Sequence, residues 1–174
     1  MNIEVRDAVP ADLPATLHIY NELIESETVA WTERPQTLEE RRAWFAQQCD
    51  RGFPTLVAVA VDGREVVGMT SYGDFRDSIH WPGYRFTAEL SIHVRGDRRR
   101  SGIGGLLMDA LISRARRDDI HVLVAGIDSE NVDSMRFHER LGFVEVARMP
   151  EVGHKFGRWL DLVLMQRVLE PSSR

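Results

Sequence analysis

A segment rich in arginine and glycine, residues 94–105 (VRGDRRRSGIGG), constrains the fold more than any other part of the sequence. A β-rich run, TAELSIHV, precedes it at residues 87–94. A strand, a glycine-rich turn and a helix start together direct free backbone N–H groups and the positive end of a helix dipole at one point. The segment therefore predicts an α/β protein with a site for a phosphate or pyrophosphate. The helix is predicted from apolar residues at helical spacing: Ile103, Leu106, Leu107, Ala110 and Leu111.

Two common phosphate-binding motifs do not fit this turn. No Lys-Ser or Lys-Thr follows the glycines, which excludes the P-loop pattern. The dinucleotide-binding pattern fails as well, because its third glycine would fall on Leu107. What remains is Arg99-x-x-Gly102-x-Gly104 between a strand and a helix. These six residues alone are equally compatible with a helix start whose arginines are only solvated.

The composition indicates one ordinary domain without nucleic-acid, membrane or metal partners. The chain has 174 residues, of which 43% are hydrophobic, enough for a single core. Its formal net charge of −5 argues against general binding to nucleic acids or membrane surfaces. The single cysteine, Cys49, excludes an internal disulfide and a Cys-based zinc site, and no apolar run reaches transmembrane length. We expect a cytoplasmic protein with no metal.

The first half of the chain predicts one strand, two helices and a hairpin. Ile3 begins an alternating strand pattern, and helical spacing of apolar residues follows between positions 13 and 24. Thr37-Leu-Glu-Glu40 is a capping box that opens a second helix, which we expect to stop near Gly52. The β-rich runs 55–61 and 65–72 are joined through Asp62-Gly63, a strong hairpin signal.

The second half begins with a long irregular loop, 73–85, of a length that is usually functional or mobile. After the arginine-glycine segment we expect strands at 121–127, 143–149 and 158–168, a short helix at 134–141, and a loop at 150–157. The predicted order is β-α-α-β-β-β-α-β-α-β-β. This order predicts one α/β domain over residues 1–170, built on a mixed, mostly antiparallel sheet flanked by helices, with a frayed tail at 171–174.

A second motif, at residues 131–143, makes the interpretation of the arginine-glycine turn more specific. Residues 131–143, NVDSMRFHERLGF, together with the arginine-glycine turn, resemble the GNAT family of N-acetyltransferases in motif order and separation. Within that family, Thr-Ala-Glu at 87–89, Val-Ala-Gly-Ile-Asp at 124–128 and the KFGRWLD run at 155–161 look like the phosphinothricin and methionine sulfoximine (methionine sulfone) acetyltransferases. The resemblance extends from Ile3 to about Arg167.

The resemblance implies the GNAT fold and acetyl transfer from acetyl-CoA to the α-amine of a small amino-acid analogue. Glu89 matches the family's base, and His138 stands where most of the superfamily has a tyrosine acid. Backbone groups of Ile92, His93 and Val94 should bind the pantetheine arm as an added strand would. The other implied cofactor contacts are Arg99, Arg100, Gly102, Ile103, Gly104 and Gly105 at the pyrophosphate, and Asn131 and Ser134 toward the reacting end.

General chemistry agrees with the two catalytic assignments. Attack on a thioester needs a neutral amine, so a base such as Glu89 must take a proton from the ammonium form, directly or through water. The common alternative for such a residue is a polar side chain on a half-solvated strand face. A histidine with a pKa near 6.5 could protonate the leaving thiolate, although a lone histidine on a short helix is usually structural.

The long loop is the predicted substrate site. Arg76 and Arg85 bracket it, and an arginine pair can hold an α-carboxylate in two-pronged fashion, although loop arginines are commonly just solvated. Aromatic residues around them would wall a small, closed pocket. The residues assigned to substrate binding are Phe75, Arg76, Asp77, Arg85, Phe86 and Thr87.

Two further patches, residues 29–31 and 154–159, could close this pocket. In the subgroup that the chain resembles, such elements can come from a partner subunit, so we expect a homodimer. Two rival functions stay open. An acetyltransferase of peptide or protein N-termini, or of polyamines, would keep the same catalytic parts. A non-catalytic acyl-CoA-binding module would keep the arginine-glycine turn but would not need Glu89.

Overall fold

The computed structural model describes residues 2–62 and 64–170. The strands are β1 (Ile3–Asp7), β2 (Thr55–Ala60), β3 (Glu65–Asp74), β4 (Thr87–Val94), β5 (Val122–Asp128), β6 (Val144–Lys155) and β7 (Arg158–Val168). The helices are α1 (Leu13–Ser26), α2 (Leu38–Asp50), α3 (Ile103–Arg117) and α4 (Val132–Arg140). The predicted order of helices and strands is confirmed. The expected frayed tail at 171–174 lies outside the described residues.

The seven strands form a single mixed sheet in the order β1-β2-β3-β4-β5-β7-β6. Neighbouring strands are antiparallel except for β4 and β5, which run parallel. The predicted α/β architecture with a mixed, mostly antiparallel sheet is therefore confirmed. Helix α3 connects β4 to β5, as a parallel pair requires a crossover. None of the described helices is long and apolar enough to span a membrane.

The two faces of the sheet are covered by different helices. On one face, Ile19 of α1 packs against Val57 and Met69. On the other face, Leu107 of α3 packs against Ala58 and Val67. Because side chains alternate between faces along a strand, β2 and β3 contribute to both cores. On β4, Ala88 and Leu90 belong to the core under α3, so Glu89 between them projects from the opposite face, which α1 and α2 cover.

Helix α2 starts at the predicted capping box. The Thr37 hydroxyl accepts a hydrogen bond from the Glu40 amide at 3.2 Å, and the Glu40 carboxylate accepts one from the Thr37 amide at 2.8 Å. These two bonds satisfy amides that the helix itself leaves without partners. The prediction of a helix start at this point is confirmed.

The predicted loop at 150–157 is wrong. Strand β6 continues to Lys155 and pairs with β7, with register shifts between Glu145 and Ala147 and between Met149 and Gly153. Pro150 suggested a loop, but β6 is an edge strand, where a missing N–H costs no ladder hydrogen bond. The turn is only Phe156 and Gly157, both with positive φ, as expected for a tight hairpin.

Two smaller expectations concern α3 and the hairpin of β2 and β3. The spacing of apolar residues predicts Leu106 on the buried face of α3, but this residue is 47% exposed, because the helix turns that position away from the sheet. The predicted hairpin between β2 and β3 forms, with Ala60 opposite Glu65. Gly63 of its turn lies outside the described residues.

The hairpin formed by β6 and β7 is tied to the segment that follows α1. Lys155, the sole lysine of the sequence, donates hydrogen bonds from Nζ to the carbonyls of Ile24, Glu27 and Ala30 at 2.8, 2.6 and 2.8 Å. The Trp31 ring lies so close over Gly153 that a Cβ at this glycine would be 2.2 Å from it. The two sequence patches therefore meet within one chain.

Candidate active site

The centre of the candidate site is the point where β4 and β5 separate. The parallel pairing joins only Thr87–Glu89 of β4 to Val122–Val124 of β5. Beyond Glu89, β4 stays paired with β3, while β5 stays paired with β7. The edge of β4 from Leu90 to Val94 that faces β5 is therefore open in the described part of the chain. An open strand edge offers backbone donors and acceptors to an extended ligand.

A groove of about 1080 Å³ runs along this open edge. It is bounded by β4, the turn before α3, the N-terminal half of α3, α4 and the end of α1. Ten of the eleven predicted cofactor residues line it. The exception is Ile103, the first residue of α3, whose side chain is buried between α3 and the sheet. The ten are Ile92, His93, Val94, Arg99, Arg100, Gly102, Gly104, Gly105, Asn131 and Ser134.

Helix α3 begins at one end of this groove without a side-chain cap. Its N-cap residue, Gly102, adopts φ +85°, a left-handed conformation that favours glycine. The first intrahelical bond is donated by the Leu106 amide, so the preceding amides have no helical partner. A helix start of this kind attracts anions. The predicted start of a helix after this turn is confirmed, and the binding of an anion there stays a prediction.

The arginines of the turn already have acidic neighbours. Arg99 contacts Glu27 at 2.7 Å, and Arg100 contacts Asp133 at 3.2 Å. Arg95 is held by Asp97 at 2.6 Å. The Arg100–Asp133 pair is largely solvent-exposed and the other two are partly exposed, so each contributes little to stability and can be exchanged for a stronger anion. The arginines therefore remain available to a phosphate-bearing ligand.

Glu89 is the last residue of β4 that pairs with β5, and it projects from the face of the sheet that α1 and α2 cover. It does not itself line the groove, which begins further along β4 at Ile92. Its Oε1 atom lies 3.1 Å from the point that a Cβ would occupy at Gly126, so the glycine leaves room for the carboxylate. The residue is exposed, and its carboxylate has no hydrogen-bond partner among the described residues. Desolvation by the surrounding walls raises the pKa of Glu89. A carboxylate with a raised pKa is a better proton acceptor near neutral pH.

His138 lies in a different environment from the one expected for a proton donor. Its side chain is 2% exposed and packs edge-on between Phe137 and Phe143. Nδ1 donates to the Ser134 carbonyl at 2.8 Å, and Nε2 is buried without a partner among the described residues. Burial lowers the pKa of His138, only partly offset by the Ser134 hydrogen bond. In this neutral form Nε2 carries no proton to give.

The predicted substrate arginines lie in the exposed loop between β3 and β4. The Arg76 guanidinium lies over the rings of Phe75 and Tyr84, at 5.8 and 5.5 Å from their centroids. Arg85 stacks on Phe86 at 4.2 Å and donates to the Pro82 carbonyl at 2.9 Å. Within the described residues, neither arginine forms an ion pair with a carboxylate.

Two other residues assigned to substrate binding have structural partners in the same region. The Asp77 carboxylate accepts hydrogen bonds from the amides of Ile79 and His80 and lies 2.6 Å from the His80 ring. It therefore organises the turn in the loop. Thr87 begins β4 and is half-buried, two residues before Glu89.

Several residues that line the groove were missed. Arg136, Phe137 and Arg140 come from one side of α4, and their helical spacing within the motif at 131–143 was the signal that could have identified them. Leu23 and Glu27 come from the end of α1 and the residue after it, and no local pattern marks them, because only the tertiary packing of α1 brings them to the groove. Val29 belongs to the patch at 29–31 that is expected to close the substrate pocket, and it lines this groove. Within residues 2–62 and 64–170, no group of three or more His, Cys, Asp or Glu side chains is placed to hold a metal ion.

The match to known proteins agrees with this geometry. A model of the Acetyltransferase (GNAT) family matches residues 16–143. The chain belongs to the GNAT family. A relative from Pseudomonas aeruginosa, named L-methionine sulfoximine/L-methionine sulfone acetyltransferase, is 48% identical over 172 residues, which cover 99% of this chain and 98% of the relative. The resemblance to the GNAT family found in the sequence is thus confirmed, and the Pseudomonas relative is an acetyltransferase by name.

Solved GNAT structures share the whole fold. A phosphinothricin acetyltransferase from Sinorhizobium meliloti, in complex with acetyl-CoA, superposes with a TM-score of 0.91 at 32% identity and covers 100% of this chain and 92% of its own. A Salmonella typhimurium structure with its cofactor acetyl-CoA has a TM-score of 0.91 at 39% identity, covering 99% and 96%. Both of these neighbours bind acetyl-CoA.

Proposed function

We propose that this GNAT protein transfers the acetyl group of acetyl-CoA to the α-amine of a small amino-acid analogue such as methionine sulfoximine, methionine sulfone or phosphinothricin. One observation carries the proposal: β4 loses its pairing with β5 directly after Glu89, so a carboxylate with a raised pKa stands where the open edge of the strand begins. The names of the Pseudomonas and Sinorhizobium relatives support the substrate class.

The groove suits acetyl-CoA in its shape and its polar groups. The free amides at the start of α3 and the nearby arginines match a pyrophosphate. The open edge of β4 from Ile92 to Val94 matches the amides of a pantetheine arm, in the manner of an added strand. The Asn131 side chain caps α4 by accepting from the Ser134 amide at 3.1 Å, which leaves its own amide group to face the groove.

When bound, acetyl-CoA supplies an acetyl thioester as the electrophile. Glu89 accepts the proton of the substrate ammonium, directly or through a water molecule, and so produces the amine that forms the new C–N bond. The backbone N–H groups of β4 hold the thioester carbonyl as its oxygen gains negative charge. The C–S bond then breaks, and the thiolate takes a proton.

The donor of this last proton stays a prediction. His138 was assigned to it, but its neutral, buried side chain has no proton on Nε2. We therefore expect His138→Phe to lower turnover much less than the loss of Glu89. Because its ring packs against Phe137 and Phe143, we also expect this variant to show a change in stability.

The substrate carboxylate is assigned to Arg76, Arg85 or both. Arg76→Ala and Arg85→Ala should each lower kcat/KM by roughly ten- to a hundredfold, the effect of losing one charge-assisted hydrogen bond of about 1.5–3 kcal/mol. The loss should nearly vanish for a substrate whose carboxylate is replaced by a neutral amide. Equal losses on acid and amide substrates for both variants would exclude these arginines as the carboxylate site.

The phosphate end is best tested at Gly105. A Cβ at Gly104 would lie 3.3 Å from the Phe137 ring, so a larger residue there would disturb the packing of α3 on α4 as well as the groove. A Cβ at Gly105 meets no protein atom within 4 Å, and this residue lines the groove. Gly105→Val should weaken acetyl-CoA binding by roughly tenfold or more, or about 1.4 kcal/mol, with the fold retained. Unchanged affinity by calorimetry in the folded variant would show that the phosphates bind elsewhere.

One assay tests the proposed reaction against its rivals. Thiol release from acetyl-CoA should be measured with amino acids, sulfones, sulfoximines, polyamines and peptides as acceptors. We expect fast release with small amino-acid analogues. Release only with peptides or polyamines would favour those acceptors instead, and binding of acetyl-CoA without release for any acceptor would favour a non-catalytic acyl-CoA-binding module.

We also propose a cytoplasmic homodimer with one catalytic domain over residues 1–170. The edge strand β6 supports the dimer, since Val144, Val146, Met149 and Val152 are all exposed on it. An exposed edge strand with several apolar side chains is suited to pairing with a second copy. Light scattering coupled to size-exclusion chromatography should give about twice the monomer mass of 19.9 kDa. A monomer at micromolar concentration would contradict the dimer.

A further inference from the structure

His93 has an unusual position on β4. Its side chain is only 8% exposed, yet it lines the groove. Nδ1 is buried and has no hydrogen-bond partner among the described residues. Because His93 lines the groove while Nδ1 is closed off, Nε2 is the ring nitrogen that a molecule in the groove can reach. A buried polar atom without a partner is costly and calls for an explanation.

Arg41 is a second anomaly on the same side of the sheet. It is 3% exposed near the start of α2, and within the described residues no carboxylate pairs with it. The guanidinium lies between the rings of Tyr20 and Trp44, 4.8 Å from each centroid, and one nitrogen donates to the Thr16 carbonyl at 3.3 Å. Burial of a cation without a carboxylate partner costs free energy of folding.

The Tyr20 ring connects these two residues. It packs edge-on against His93 with centroids 5.6 Å apart, and its other contact is the Arg41 guanidinium. The charges that reach His93 are Arg41 from α2 and Arg99 from the turn, and both are positive. Burial, followed by these two charges, lowers the pKa of His93 to about 4. A neutral imidazole beside a buried cation is most stable with its lone pair toward the cation and its N–H on the far side.

We propose that Arg41 holds His93 as the neutral Nε2–H tautomer and that this N–H donates a hydrogen bond to a carbonyl oxygen of the pantetheine arm. The proposal rests on the proposed function, because it assumes acyl-CoA in the groove. When the pantetheine arm binds, its amide carbonyl loses its hydrogen bonds to water and needs a donor from the protein. A neutral imidazole N–H can supply this hydrogen bond without the free-energy cost of desolvating a cation. His93 would then be a cofactor-binding side chain and Arg41 a positioning residue.

The tautomer can be observed without any substitution. Long-range ¹H–¹⁵N correlation spectra of the ¹⁵N-histidine-labelled protein distinguish the two neutral tautomers. His93 should show the Nε2–H form and no titration between pH 5 and 8. His138 is the internal control, since its Nδ1 donates to Ser134 and it must show the opposite tautomer. An Nδ1–H tautomer for His93, or a titration in this range, would overturn the proposal.

The hydrogen bond is tested by calorimetry with acetyl-CoA. His93→Phe should weaken binding roughly three- to tenfold, the effect of one neutral hydrogen bond, whereas His93→Gln keeps an N–H at similar reach and should recover most of the affinity. Binding of 3′-phosphoadenosine 5′-diphosphate, which lacks the pantetheine arm, should be unchanged in both. Equal affinities of His93→Phe and the wild type for acetyl-CoA, or equal losses for both ligands, would exclude the hydrogen bond.

Arg41→Met tests the positioning role. Replacement of an unpaired buried charge by an apolar side chain of similar length is often tolerated, so the variant should fold. Without the cation, the pKa of His93 should rise and the Nδ1–H tautomer should become populated in the spectra. An unchanged tautomer and titration would remove Arg41 from the proposal. If the wild type itself binds no acetyl-CoA, the proposed function fails, whereas the tautomer result stands by itself.

Discussion

Glu89→Gln should lower kcat by roughly 100- to 10,000-fold, the usual contribution of a general base. The amide keeps the shape of the carboxylate but cannot accept the ammonium proton. It fits the same space against Gly126, so acetyl-CoA binding should be almost unchanged. Steady-state kinetics together with calorimetry separate these two effects. Near-normal turnover across the pH range would show that Glu89 is only a polar strand residue and that the base lies elsewhere.

The pH profile gives this prediction a second, independent readout. The base is active when deprotonated, so activity should rise with pH through the pKa of Glu89. Desolvation raises this pKa, which places the acidic limb of kcat/KM above the ordinary value of 4.5. Glu89→Gln should remove this limb from the residual activity. Because folding raises the pKa of Glu89, the charged carboxylate destabilises the folded protein at neutral pH. Glu89→Gln removes this charge, so the variant should be at least as stable as the wild type.

A matched control is available on the first strand. Glu4 is also an exposed strand carboxylate, but it lies on β1, at the far edge of the sheet from the groove. Glu4→Gln should leave kcat and the pH profile unchanged. The comparison separates the loss of a base at one position from the general effect of removing a negative charge from this acidic protein.

Local sequence patterns were sufficient for most of the fold and for one wall of the groove. The arginine-glycine turn, the capping box at Thr37 and the motif at 131–143 each depend on residues that are close in sequence. Their geometry follows from short-range sterics and hydrogen bonds, so it could be predicted. The separation of β4 from β5 could not be read in this way, since strand pairing depends on the whole sheet.

Long-range packing explains what the sequence did not predict. Leu23 and Glu27 line the groove only because α1 lies across the face of the sheet that carries Glu89. The sequence predicts a loop at 150–157, where β6 continues to Lys155, because proline and glycine are poor strand formers in general. On an edge strand they are tolerated, and Gly153 is where the Trp31 ring needs space. The buried state of His138 likewise depends on aromatic residues that the short-helix pattern does not locate.

Lys155→Met should lower the free energy of unfolding by roughly 3–5 kcal/mol, because hydrogen bonds from a charged donor contribute about 1.5–3 kcal/mol each and several are lost together. The Lys155 ammonium bonds three carbonyls, and a methionine would leave the buried carbonyl of Ile24 and the partly buried carbonyls of Glu27 and Ala30 without this donor. Helix α1 has no basic residue in its last turn, so this distant lysine supplies the cation at its C-terminal end. Chemical denaturation should measure the loss directly.

The effect should extend from stability to the groove. Glu27 and Val29 line the groove, and their segment is held in place by Lys155, so Lys155→Met should also raise the KM for acetyl-CoA. Arg148→Met is the control on the same strand: its exposed pair with Glu145 should contribute less than about 1 kcal/mol. Lys155→Arg should rescue little, because a planar guanidinium cannot replace an ammonium that bonds three carbonyls. Wild-type stability in Lys155→Met would mean that the segment after α1 does not pack on its own hairpin in solution, and that a partner subunit holds it instead.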